Sequence, residues 1–196
     1  MKPEIYILNR LPILGEIVQA DIVNNTILCN ICNMKEPIPK WTNVVFQLDQ
    51  WHGEDFLGGM FLYLVSEKLK NALMESKLIG FEFEPVKMIY SGKKEIPQFF
   101  QLKILGQALG TETWWIQTPC KICDKKKWLI LAGGIAANNS FADPNNIPSR
   151  NVYGDSWKEE SIFYLQDPAP PIVTQDFINI LKKFKCKPQL IPSNWI

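Results

Sequence analysis

Alternation of apolar and polar positions runs through much of this chain and marks strands. Residues 4–9 alternate as a first strand, and residues 19–28 are β-rich around Asn24-Asn25, which predicts a hairpin leading into Cys29. Pro37 and Pro39 interrupt the chain before a strand over 43–48, and 49–59 reads as a loop. A helix is clearest after Ser66: Leu69, Ala72 and Leu73 recur at helical spacing within Glu67 to Ser76, Ser66 supplies a capping hydroxyl, and Gly80 follows. Phe81 to Val86 then alternates as a strand. Further strands are expected over 86–90, 98–105, 113–117, 127–132 and 161–165, with an Asn- and Pro-rich loop over 138–150.

The end of the chain echoes its middle. Val65 to Leu73 and Val173 to Leu181 each pass from a short apolar run through a hydroxyl cap, Ser66 or Thr174, into a helix of similar pattern. Each helix leads to an apolar strand containing a proline, Pro85 or Pro192. The pattern reads as an internal strand–helix–strand duplication, 61–90 and 162–196, or as convergence of two ordinary capped helices. On either reading the expected fold is α+β, a mixed or antiparallel sheet with two main helices in a single domain over residues 1–196.

Composition narrows the class. A chain of 196 residues buries roughly 70% of its unfolded surface, so a sizeable core needs no disulfide support. Seven Trp, eleven Phe and five Tyr exceed what a soluble surface exposes, which predicts a packed core and some aromatic surface for a partner. A net charge of +1 disfavours a general nucleic-acid binder. The short Lys runs, 121–127 and 182–187, read as solvated faces. The N-terminus lacks an apolar leader, and no stretch approaches the roughly 20 residues of a membrane span, so a cytoplasmic protein with free thiols is expected.

Four of the five cysteines form two CxxC pairs, Cys29/Cys32 and Cys120/Cys123. Each pair points two sulfurs at one site, and two pairs supply the four thiolates of a tetrahedral zinc ion. A compact zinc ribbon separates its pairs by about 15 to 20 residues, whereas residues 33–119 intervene here, so the tertiary fold must close the site. Two reducible disulfides, a redox pair, an emptied metal site and an iron–sulfur cluster remain alternatives. Cys186 stands alone and fits a small apolar role.

Catalytic constellations do not assemble from the sequence. The one histidine, His52 in Trp51-His52-Gly53-Glu54-Asp55, reads as a loop residue with a local hydrogen bond. Gly58-Gly59 and Gly133-Gly134 match no phosphate-binding fingerprint, and Glu82 and Glu84 alternate on one strand face. A non-catalytic binding protein is the expectation.

The two CxxC pairs, the segment from Val65 through Leu78-Ile79-Gly80-Phe81-Glu82-Phe83-Glu84-Pro85-Val86, and the related C-terminal helix together resemble the bacterial double-CxxCG proteins. These are similar to immunity proteins of polymorphic toxin systems. The family's glycine after each CxxC is replaced by Asn33 and Asp124, residue types that tolerate the left-handed conformation. The resemblance implies a cytoplasmic protein that neutralises a cognate toxin by covering it. Occlusion of that kind relies on a few buried aromatic anchors. Candidates are Trp51, Phe56, Trp114, Trp115, Tyr153 and Trp157, each of which could instead pack in the core. The competing readings are a zinc-stapled nucleic-acid-binding or regulatory protein, favoured by the Lys-rich run beside Cys123, and a thiol redox enzyme.

Overall fold

The computed structural model describes residues 2–23, 27–29, 34–35, 40–59, 62–111, 116–119, 121, 126–129, 150–165 and 170–196. They form an α+β fold dominated by strands, with two short helices among the described residues. A four-stranded antiparallel sheet has the order β6 (Phe56–Gly59), β7 (Leu62–Ser66), β10 (Phe99–Ile104), β8 (Phe81–Pro85). A mixed six-stranded sheet has the order β11 (Gly106–Gln107), β15 (Ile162–Tyr164), β16 (Ile172–Thr174), β1 (Ile5–Arg10), β17 (Gln189–Trp195), β14 (Asn151–Val152). Its outer pairs, β11 with β15 and β14 with β17, are parallel.

A third sheet holds β2 (Gly15–Val23) antiparallel to β5 (Lys40–Leu48), which runs parallel to β9 (Lys87–Tyr90). Two hairpins stand apart from these sheets: β3 (Ile27–Cys29) with β4 (Met34–Lys35), and β12 (Ile116–Pro119) with β13 (Lys126–Leu129).

Two expectations change. The two described parts of the run at 19–28 do not pair with each other: β2 pairs with the distant β5, from Gly15 opposite Leu48 to Val23 opposite Lys40, and β3 with β4, while Asn24-Asn25 lie outside the described residues. Burial decides the partner, because β5 turns Val44, Phe46 and Leu48 into the core and a nine-residue strand satisfies far more of β2's backbone than a local turn would. The segment expected as loop at 49–59 contains β6, a strand too short and glycine-rich to show a period, yet Phe56 and Leu57 on it are both buried.

Helices α1 (Glu67–Glu75) and α2 (Gln175–Leu181) are too short to persist alone. Each starts at a hydroxyl cap: Ser66 Oγ accepts from Leu69 N at 3.4 Å and Thr174 Oγ1 from Phe177 N at 3.5 Å. Packing completes the stabilisation. Leu69 and Leu73 of α1 meet Phe177, Ile178 and Leu181 of α2 in one core, together with residues from β1, β6, β7, β10, β15 and β16. Each fully buried apolar side chain of this size contributes roughly 1.5–3 kcal/mol. A second core lies between β5 and the face of the four-stranded sheet that carries Leu64 and Phe99. No described helix is long and apolar enough to cross a membrane.

Candidate functional site

In sequence, each CxxC pair lies at or beyond the end of the first strand of an antiparallel pair. In the first hairpin β3 ends at Cys29, opposite Met34 of β4, so Cys32 belongs to the connecting stretch. In the second, Pro119 ends β12 opposite Lys126 of β13, and Cys120 and Cys123 lie between them. Beyond the backbone of Cys29, these four cysteines lie outside the described residues, as do Trp114 and Trp115. Four thiolates gathered at one point would form a closed tetrahedral set for zinc.

The remaining aromatic candidates divide. Phe56 is 0% exposed and packs in the helix-bearing core, so it has no surface to offer a partner. Trp51 and Trp157 are half-buried, and each indole N–H donates to a carbonyl three residues on, Trp51 to Glu54 O at 3.0 Å and Trp157 to Glu160 O at 2.9 Å. Trp157 also packs 4.8 Å from Trp195, centroid to centroid. Tyr153 is exposed, at 45%, beside the Gly154–Ser156 turn.

A buried carboxylate that the sequence reading passed over sits at the start of β6. Asp55 is 1% exposed. It accepts from Ser66 Oγ at 2.7 Å and from Lys185 N at 3.0 Å, and pairs with Lys68 Nζ at 3.1 Å. Lys185 Nζ in turn donates to His52 O, and His52 N donates to Glu54 Oε2 at 2.7 Å. His52 is an exposed loop residue whose backbone is held locally by Glu54 and across the chain by Lys185. With three donors on Asp55, the cluster is a structural latch: its charge is compensated and its oxygens are engaged.

The thiol of Cys186 is pushed up to about 12, mainly by burial and further by the nearby Asp55 charge, with Lys68 opposing. It is therefore a protonated packing residue at neutral pH. Burial also raises the phenols of Tyr63 and Tyr164, which share a hydrogen bond. The only signals for the Asp55 cluster in the sequence were a polar loop and a capped helix, too common to single out. Comparison with family models finds no match, and comparison with curated proteins finds none either.

Proposed function

We propose that this chain is a non-catalytic binding protein that holds one structural zinc ion between its two CxxC pairs and neutralises a cognate bacterial toxin by covering it. The metal half is supported by the two CxxC spacings in the sequence, Cys29/Cys32 and Cys120/Cys123, with Cys29 ending β3 and Cys120 following β12. The toxin half rests on the resemblance to the double-CxxCG proteins. Zinc in a four-thiolate site contributes folding energy and no reaction chemistry. The thiols stay reduced, and so able to bind metal, in the cytoplasm. Of the described aromatic candidates, the exposed Tyr153 fits best as an anchor for the partner, with the half-buried rims of Trp51 and Trp157 next.

Affinity capture of the tagged protein from its native cells after nuclease treatment, followed by mass spectrometry, tests the reading. The expected result is one stoichiometric protein whose expression alone arrests growth and whose toxicity this chain relieves. Recovery of nucleic acid, or of no partner, overturns the toxin reading. The former would favour the regulatory alternative.

A further inference from the structure

We propose that the chain is two tandem copies of one unit, residues 5–90 and 99–196, that exchange their first strands, so that each copy's sheet contains a slot shaped for the first strand of the other. In the four-stranded sheet the slot lies between β7 and β8 and is filled by β10, the first strand of the second copy. In the six-stranded sheet it lies between β16 and β17 and is filled by β1, the first strand of the first copy. The two registers agree residue by residue. Phe99 stands opposite the cap Ser66, and Ile5 opposite the cap Thr174. Phe100 lies between Val65 and Pro85, and Tyr6 between Val173 and Pro192. The first amide of each helix donates to the residue just before the inserted strand, Glu67 N to Gln98 O at 2.9 Å and Gln175 N to Glu4 O at 2.8 Å.

After filling the partner's slot, each strand returns to its own copy. The first reaches β6, where Gly58 N donates to Pro12 O at 3.1 Å. The second continues as β11, parallel to β15. The loops before β6 and β15 then match in detail. Beside the shared indole bonds, His52 N donates to Glu54 Oε2 at 2.7 Å and Lys158 N to Glu160 Oε2 at 2.9 Å. The third residue of each loop has a positive φ, 97° at Gly53 and 65° at Glu159. The strands that precede each of these loops correspond as well: Phe46 of β5 pairs in parallel with Met88 of β9, and Val152 of β14 with Trp195 of β17.

The contacts between the copies are reciprocal. Asp55 of the first donates its amide to Lys185 O of the second at 3.1 Å, and Ser161 of the second donates to Ile79 O of the first at 2.8 Å. Reciprocity of this kind is the mark of a two-fold, isologous interface. The shared core is built the same way, with Val65, Leu69 and Leu73 answered by Val173, Phe177 and Leu181. The surface joining the halves is therefore one that a second copy of the same unit fits. Each CxxC pair lies between the first strand and the Trp loop of its copy. On the zinc reading above, a four-thiolate site takes one pair from each copy.

The junction, residues 91–95, is exposed throughout and accepts a cut. A site-specific protease sequence placed at Lys93-Lys94 lets the intact protein be nicked into fragments 1–93 and 94–196. The nicked protein is expected to stay a 1:1 complex on size exclusion, with Tm within about 10 °C of the parent. Separated in urea, neither fragment should refold alone as a monomer, since each lacks the middle strand of its sheet, and mixing should restore the fold. A fragment that refolds alone with protected sheet amides, or halves that part in native buffer, would overturn strand exchange. Metal is assayed on the same samples, so a zinc-free protein that reassembles upholds the exchange and removes only the metal reading.

Discussion

Asp55 and Lys185 are joined by two hydrogen bonds that cross between distant parts of the chain: Asp55 N donates to Lys185 O at 3.1 Å, and Lys185 N donates to Asp55 Oδ2 at 3.0 Å. The same carboxylate holds the Ser66 hydroxyl that caps α1 and the Lys68 ammonium. Asp55→Ala leaves the buried Ser66 hydroxyl and the part-buried Lys185 amide without their acceptor, and is expected to cost about 2 kcal/mol in urea unfolding. Asp55→Ser should cost less, because Ser161 makes the corresponding backbone bonds in the other half without a carboxylate. A loss below about 0.5 kcal/mol for Asp55→Ala would remove the latch.

Backbone conformation at the two Trp loops sets a second expectation. Glu159 adopts φ 65° where its counterpart Gly53 adopts 97°. Glu159→Gly relieves a left-handed side-chain residue and is expected to stabilise by about 0.5–1 kcal/mol. Gly53→Ala introduces the same strain and should destabilise by about 1 kcal/mol. Thermal melts of the two variants should therefore move in opposite directions.

Cys186 sets a third. Its folded value of about 12 lies above the unfolded 9.0, so the folded state holds the proton more tightly. The associated stability is fully present below about pH 9 and is lost as pH rises toward 12. At pH 8.5 iodoacetamide should spare the Cys186 peptide in the native protein and label it in urea, read by mass spectrometry. Rapid native labelling would contradict the burial.

Helix α1 was legible in the sequence because its signals are local: a serine cap, Leu69 and Leu73 at helical spacing, and a glycine beyond. The likeness of the two helix units was legible for the same reason. What joins them was not. Tyr6 opposite Val173 and Pro192 is a pairing across nearly the whole chain, and no local period encodes which distant strand fills a slot. The Trp loops diverged to Trp-His-Gly-Glu-Asp and Trp-Lys-Glu-Glu-Ser, leaving only Trp and Glu in common. The shared geometry is carried by backbone bonds that many sequences can make. Phe56 read as a loop aromatic because Gly58-Gly59 hides the strand it belongs to. The CxxC pairs stand out in the sequence by spacing alone, and all but the backbone of Cys29 lie outside the described residues.

Zinc content per chain, measured on protein purified without chelator and on the variants Cys29→Ser/Cys32→Ser and Cys120→Ser/Cys123→Ser, bears most directly on the account. One zinc per parent chain, lost equally from both variants, is expected of a single site that takes one CxxC pair from each half. A metal-free parent, or a variant that keeps its metal when one pair is removed, would contradict it.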